Sequence, residues 1–177
     1  MIEKSNGKLE SILSDLMEIV LIREGTVEKT ETKLDNLIRE ITDEKELDTL
    51  KHEINLILDI SVKEAIEIDA KLLKIVLRNV FNNALKYSNP VGKGAYITIS
   101  ATVNKKQLEI IITDNGIGIN SKFLPKVFNM FFRATDSSTG TGLGLYIAKN
   151  AVDKLNGTIS IQSKENIGTS VTINIPI

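Results

Sequence analysis

The spacing of apolar residues changes along the chain and divides it into helices and strands. Apolar residues at helical spacing predict helices over residues 8–24, 34–42, 69–87 and 143–155. Alternating apolar and polar residues predict strands over residues 53–60, 65–68, 95–103, 107–113, 158–163 and 169–175. Strands in hairpins together with amphipathic helices predict an α+β fold. We expect a two-layer α/β sandwich, a mixed sheet covered on one face by helices and preceded by a helical segment.

The first predicted helix ends at Gly25 and carries an apolar stripe. Its members recur every three or four residues: Leu9, Ile12, Leu13, Leu16, Ile19 and Val20. A lone helix of this length is marginal in water, so the stripe requires something to pack against. Two possibilities stay open at this point, a partner helix and the remainder of its own domain. Residues 26–33, TVEKTETK, are polar and predict a linker.

Composition excludes several classes of protein. The 177 residues contain no cysteine and one histidine, so disulfide frameworks, thiolate metal sites and cysteine nucleophiles are excluded. The net charge of -1, from 22 basic and 23 acidic residues, gives no general attraction to nucleic acid. No apolar run approaches the roughly 20 residues that span a bilayer. The first residues have no signal-peptide core, and we therefore expect a cytoplasmic location.

The long helix over 69–87 carries two asparagines and a lysine on one side. Asn79 and Asn83 are four residues apart, and Lys86 follows three residues later, so the three share a helix face. Asparagine is unfavourable inside a helix because its amide competes with the backbone. An amide oxygen suits Mg²⁺ and an ammonium group suits a phosphate, which indicates a polar cleft. A solvated helix face explains the pattern about equally well.

Two glycine-containing segments follow. In ITDNGIGI, residues 112–119, Asp114 can accept a hydrogen bond from an exocyclic amine, and Gly116 and Gly118 permit a close backbone approach. Taken alone, a strand-ending Asp-Asn-Gly turn is the simpler interpretation. In TGTGLGL, residues 139–145, three glycines open directly into a helix whose first N–H groups could bind phosphate. Its spacing matches neither a P-loop nor the dinucleotide fingerprint.

In this order, the three segments and a phenylalanine-rich one between them resemble the ATP-binding catalytic domain of sensor histidine kinases. That domain belongs to the wider family that includes DNA gyrase, MutL and the heat-shock chaperone ATPases. The matching segments are RNVFNNALKYS (asparagine box), DNGIG (first glycine box), FNMFFRA (phenylalanine box) and GTGLGLYIAK (second glycine box). The resemblance covers residues 53–177 and extends loosely before them.

The resemblance implies a role for each matching residue. Asn83 would coordinate Mg²⁺ and Asn79 would face the phosphates of ATP. Asp114 would accept from the adenine amine, and Arg133 would stabilise the charge that develops on the transferred phosphoryl group. Residues 120–142 would form a mobile lid. The other residues expected to bind the nucleotide are Lys86, Tyr87, Gly116, Gly118, Gly140, Gly142, Leu143 and Gly144.

One position favours a kinase over an ATPase. In the gyrase-like ATPases the residue four before the metal-binding asparagine is a glutamate, which activates water. Here that residue is Asn79, whose amide takes no proton at neutral pH. The alternative functions are a gyrase-like ATPase and an ATP-binding module without histidine kinase activity of its own.

His52, the only histidine, is a poor match to the phosphoacceptor of the family. HEINLIL imitates the start of the acceptor motif, but His52 lies 31 residues before Asn83, too close for a second bundle helix and a strand between them. The residues after His52 also alternate as in a strand, whereas an acceptor helix requires helical spacing. We expect His52 at the entrance to the first strand.

The resemblance also implies a domain division and partners. Residues 1–25 would be the C-terminal part of the second helix of a dimerisation bundle, 26–52 a linker with a short helix, and 53–177 the catalytic domain. The acceptor histidine would lie on a dimerisation domain missing from this chain, either because the chain is a fragment or because it acts in trans. The expected partners are ATP, that domain and the receiver domain of a response regulator, in a homodimeric parent kinase that could be membrane-associated.

Overall fold

The computed structural model describes residues 2–43, 54–88, 94–134 and 140–177. The helices are α1 (Ile2–Glu24), α2 (Leu34–Thr42), α3 (Ala70–Tyr87) and α4 (Gly144–Lys154), with a 3₁₀ helix over Ser121–Lys126. The strands are β1 (Thr30–Thr32), β2 (Ile54–Ile60), β3 (Ile66–Ile68), β4 (Ala95–Asn104), β5 (Gln107–Asp114), β6 (Thr158–Lys164) and β7 (Gly168–Pro176). The predicted helices and strands are present, and the largest shift of an end is in α1, which begins at Ile2 rather than residue 8.

Five strands form one mixed sheet in the order β2-β4-β5-β7-β6. The β2–β4 pair is parallel, and the other neighbouring pairs are antiparallel. Alternate residues of β4 and β5, such as Ile97 and Ile110, are fully buried and join the core that includes α3 and α4. Most of the intervening residues are polar, and Thr113 and Ser170 hydrogen-bond across β5 and β7 at 3.0 Å. The predicted two-layer sandwich with helices on one face is confirmed.

The central helix α3 carries a buried face and a polar face. Its buried face includes Leu73, Val76, Leu77, Val80, Phe81 and Ala84. The helix begins after Asp69, whose side chain accepts a hydrogen bond from the Leu72 N–H at 3.0 Å and so caps the first turn. It ends at Tyr87, where the Ser88 N–H still bonds the Ala84 carbonyl. The polar face of α3 is thereby fixed relative to the sheet.

The segment after α1 is not a simple linker, which corrects the prediction for residues 26–33. Thr30–Thr32 forms β1, which pairs antiparallel with β3. The Asp69 carboxylate, besides capping α3, accepts from the Glu28 N–H at 2.8 Å. The sequence of β1, TET, has no alternation of apolar and polar residues, so only the pairing with β3 makes this segment a strand. The segment is therefore bound to the start of α3.

Helix α1 packs on the domain through one face and exposes an apolar second face. Ile19 and Ile22 are buried in the common core, and the Glu18 side chain pairs with Arg78 of α3. The exposed face contains five large apolar residues: Leu9, Leu13, Met17, Val20 and Leu21. The domain therefore covers only one side of the helix, and a partner helix on the other side stays a prediction. Within the described residues, no helix is long and apolar enough to cross a membrane.

Candidate functional site

A cavity of about 220 Å³ lies between α3, the start of α4 and strands β5 and β7. It brings together most of the residues that the sequence singled out, although they come from three separate segments. Those that line it are Asn79, Asn83, Lys86, Tyr87, Asp114, Gly118, Gly140, Gly142 and Gly144. Segments that were weak signals separately therefore form one site.

The asparagine face of α3 meets the start of α4 inside this cavity. The Asn79 Nδ2 donates to the Ile75 carbonyl at 2.9 Å, one turn earlier in α3. A Cβ at Gly144 would lie 3.1 Å from Asn79 Oδ1 and 3.8 Å from Asn83 Nδ2. A side chain at Gly144 would crowd both amides, so glycine lets the first turn of α4 approach them. Gly144 and Leu145 of that turn line the cavity, and N–H groups at the N-terminus of a helix suit an anion.

The end of α3 contributes a cation. Lys86 lines the cavity, and its ammonium lies 5.0 Å from the centre of the Tyr87 ring. A Cβ at Gly140 would overlap the Lys86 Nζ, so the ammonium lies directly against the glycine-rich segment. The cavity therefore has two amides, an ammonium group and helix N–H groups at one end, a donor set suited to phosphate. The amide oxygens of Asn79 and Asn83 are also of the ligand type that Mg²⁺ takes.

Asp114 ends β5 at the other side of the cavity and is only 7% exposed. Burial raises the pKa of the Asp114 carboxyl, while hydrogen bonds from the Gly116 and Thr169 backbone N–H groups act in the opposite direction. The Gly116 bond measures 2.8 Å. A buried carboxyl oxygen that lines an apolar cavity is a suitable acceptor for an exocyclic amine.

The turn after β5 is held on both sides. The Ile117 N–H donates to the Tyr87 carbonyl at 3.0 Å, and the Asn166 N–H donates to the Ile117 carbonyl at 2.7 Å. Gly118 has φ +63, and a Cβ there would overlap the Lys164 carbonyl oxygen. A Cβ at Gly116 would similarly overlap the Tyr87 carbonyl oxygen. Gly116 does not line the cavity, so it acts by letting the chain pass closely beside Asp114 and α3.

The expected lid is described up to Ala134 and again from Gly140. Phe132 and Ala134 line the cavity, and the Phe132 ring packs 5.9 Å from that of Phe123. Phe132 therefore contributes to the cavity wall as well as packing within the expected lid. Arg133 between them is exposed and does not belong to the cavity wall. Gly142 has φ +76, and a Cβ there would lie 2.9 Å from the Phe132 carbonyl oxygen.

Leu143 is fully buried and does not line the cavity, so its contribution to a ligand site is its backbone. The Leu143 N–H donates to the Thr141 hydroxyl at 3.2 Å, which fixes the chain as it enters α4. Thr141 and Asp15 of α1 both line the cavity, and neither was predicted as a site residue from the sequence. The apolar wall was also missed: Ile112, Ile117, Ile119, Val127, Ile161 and Val171. These are ordinary core-type residues, and only the fold shows that they face a cavity.

A two-layer sandwich whose helix layer opens on such a cavity defines a nucleotide-binding domain. Residues 68–177 match the family of histidine kinase-, DNA gyrase B- and HSP90-like ATPases. The chain therefore belongs to that family, in which ATP is the bound nucleotide.

Curated relatives of the chain are sensor histidine kinases. Histidine protein kinase SaeS of Staphylococcus aureus is 33% identical over 182 residues, which cover 97% of this chain and 50% of SaeS. Sensor histidine kinase WalK of Bacillus subtilis is 42% identical over 117 residues, 63% of this chain and 19% of WalK. The chain thus spans half or less of the length of these relatives, in which a domain of this family is the ATP-binding catalytic module.

Solved structures give the same classification. The catalytic domain of histidine kinase ThkA matches with a TM-score of 0.71 and 28% identity, covering 84% of this chain and 95% of that chain. A structure of ThkA in complex with the response regulator protein TrrA matches with a TM-score of 0.76 and 25% identity, covering 97% of this chain and 48% of that chain. The second match extends over nearly the whole chain, including helix α1.

Proposed function

We propose that this chain is the ATP-binding catalytic part of a two-component sensor histidine kinase. It transfers the γ-phosphoryl group of ATP to a histidine on a dimerisation domain, for relay to a response regulator. The observation that carries this proposal is the chemistry at Asn79, which lies beside Gly144 at the phosphate end of the cavity. An amide at this position orients phosphate but takes no proton from water, so the acceptor must bring its own base.

The geometry supports a division of the cavity into two ends. Asp114 binds the adenine amine at the buried end. At the other end, Lys86 and the first N–H groups of α4 bind phosphate oxygens, and Arg133, on the lid beside Phe132, reaches the terminal phosphate. The Asn83 amide holds Mg²⁺, which neutralises phosphate charge when bound. The residues of this chain thus orient ATP and stabilise charge, as phosphoryl transfer requires.

An ATPase that transfers the phosphoryl group to water is the second candidate, because the Asp15 carboxylate also lines the cavity and could act as the base that activates water. Incubation with ATP and Mg²⁺ distinguishes the two functions by the rate of phosphate release. The kinase function predicts only slow release when no acceptor domain is present. Fast steady release would establish the ATPase function, and unchanged release by an Asp15→Asn variant would then exclude Asp15 as its base.

The partners follow from two observations. The exposed apolar face of α1, which contains Leu9, Leu13, Met17, Val20 and Leu21, provides a surface for helices of a dimerisation bundle. On this proposal residues 1–25 belong to that bundle and the parent kinase is a homodimer. The response regulator is proposed because ThkA, similar over nearly the whole chain, is seen in complex with TrrA.

Replacing Asn83 with alanine is expected to remove most of the gain in ATP affinity that Mg²⁺ provides. The variant loses a proposed metal ligand, and we expect the Mg²⁺-dependent part of the affinity to fall about tenfold or more. Calorimetric titration of ATP with Mg²⁺ and with a chelator measures this part directly. Asn36→Ala, at an exposed position of α2, is the matched control and should leave both affinities unchanged. An equal Mg²⁺ effect in Asn83→Ala and wild type would exclude the metal-binding role.

A further inference from the structure

A carboxylate from outside the catalytic domain enters the nucleotide cavity. Asp15 lies on α1 and lines the same cavity as Asn79, Lys86 and Gly144. Its Oδ2 accepts a hydrogen bond from the Thr141 hydroxyl at 2.6 Å, across 126 positions of sequence. A short bond of this kind is charge-assisted and holds Asp15 against the glycine-rich segment.

Thr141 connects Asp15 to the start of α4. The Thr141 hydroxyl donates to Asp15 and accepts from the Leu143 N–H at 3.2 Å. Leu143 immediately precedes Gly144, the first residue of α4. The position of α1 is therefore coupled, through a single hydroxyl, to the N–H groups that are proposed to bind phosphate.

Other contacts of α1 involve the two helices that carry the phosphate end. Glu18 pairs with Arg78, which precedes Asn79 on α3. Arg23 donates to the Tyr146 hydroxyl at 2.8 Å, and the Lys154 ammonium donates to the Arg23 carbonyl at 3.0 Å, both on α4. With the buried Ile19 and Ile22, these contacts hold α1 at one position, in which Asp15 lies inside the cavity.

The charge of Asp15 opposes the charge of a nucleotide. Asp15 brings a carboxylate into a cavity that is expected to take a polyphosphate, and its hydroxyl partner supplies no positive charge to offset it. Like charges in a partly buried cavity repel more strongly than in water, because the local dielectric is lower. Neither adenosine nor the adenine ring carries a charge that Asp15 would repel.

We propose that Asp15 makes the docking of α1 and the binding of phosphate-bearing nucleotides mutually antagonistic. This inference rests on the proposed function, since it assigns the phosphate end of the ATP site to the region beside Asp15. A docked α1 lowers the affinity for ATP, and bound ATP weakens the docking of α1 by the same factor. A shift of α1 along or about its axis would withdraw the carboxylate and raise the affinity of the catalytic site.

The test compares Asp15→Asn with wild type for two ligands, ATP and adenosine. The asparagine oxygen can still accept the Thr141 hydroxyl, so the variant removes the charge and keeps the hydrogen bond. We expect ATP to bind about fivefold tighter and adenosine to bind equally well. The ATP effect should shrink as ionic strength rises, which a purely structural role of Asp15 would not produce.

Glu24→Gln is the matched control. It removes one negative charge from the same helix, about 13 Å further along the axis, at an exposed position. We expect it to change neither affinity. Hydrogen exchange over residues 9–24 provides a second measurement, in which saturating ATP should speed exchange in wild type and have a smaller effect in Asp15→Asn.

Two outcomes would overturn the inference. One is an ATP affinity of Asp15→Asn equal to that of Glu24→Gln. The other is weaker ATP binding that appears only with Mg²⁺, which would make Asp15 a metal ligand. If wild type binds neither ATP nor adenosine, the proposed function fails instead, so the two failures are distinguishable.

Discussion

Asp114→Ala is expected to weaken ATP binding about 10- to 100-fold. Asp114 is the buried acceptor of the cavity, and hydrogen bonds to charged groups contribute about 1.5–3 kcal/mol. The alanine variant leaves the adenine amine without its acceptor in an apolar site, where water does not easily replace it. Calorimetric titration of ATP gives the loss directly, and unchanged affinity would show that the adenine end of the cavity is wrongly assigned.

Inosine triphosphate separates adenine recognition from general damage to the cavity. Its base carries an oxygen where adenine carries the amine, so it offers Asp114 no donor. Wild type should therefore prefer ATP strongly, and Asp114→Ala should lose that preference. Asp114→Asn is the matched variant, because it keeps an acceptor for the Gly116 N–H and adds a donor for the inosine oxygen. Asp114→Asn should reduce the ratio of the affinity for ATP to the affinity for inosine triphosphate, and it should still bind both nucleotides.

Gly118→Ala is expected to lower the free energy of unfolding by about 2 kcal/mol or more. Gly118 has φ +63, which favours glycine, and the added Cβ would overlap the Lys164 carbonyl oxygen in the β6–β7 turn. The nearest atoms to the new Cβ are all backbone atoms of Lys164 and Glu165. The overlap can therefore be relieved only if the turn after Asp114 moves. The midpoint of denaturant unfolding measures the change.

Gly94→Ala is the control for this prediction. A Cβ at Gly94 would meet no atom within 4 Å, so its effect should stay within about 0.5 kcal/mol. The same loss of stability in both variants would show that the cost comes from replacing any glycine. Equal stability of Gly118→Ala and wild type would mean that the turn after Asp114 can move away from the Lys164 carbonyl at little cost.

The sequence was informative where function depends on local chemistry. Asn79 and Asn83 share a face because four residues make about one helical turn, and Gly118 and Gly142 occupy positions of positive φ, which glycine adopts most easily. The strands of the main sheet were predictable because buried and exposed positions alternate along them. Those patterns need no knowledge of the tertiary structure.

The remaining features depend on tertiary contacts. Asp15 is an ordinary acidic residue of an amphipathic helix, and only the docking of α1 brings it to Thr141. The predicted apolar stripe of α1 mixes the buried Ile19 with the exposed Leu9, Leu13 and Val20, and it omits the buried Ile22. β1 has no strand pattern of its own. The position of His52 stays a prediction, because it lies outside the described residues.

The most direct test of the central claim is phosphoryl transfer in trans. The chain would be incubated with Mg²⁺ and ATP labelled at the γ-phosphate, together with a separately produced dimerisation domain that carries an acceptor histidine. The same domain with its acceptor histidine replaced by alanine is the control. We predict acid-labile label on the intact acceptor domain and none on the control. Steady release of phosphate to water at a rate that neither domain changes, with no label on protein, would contradict the account.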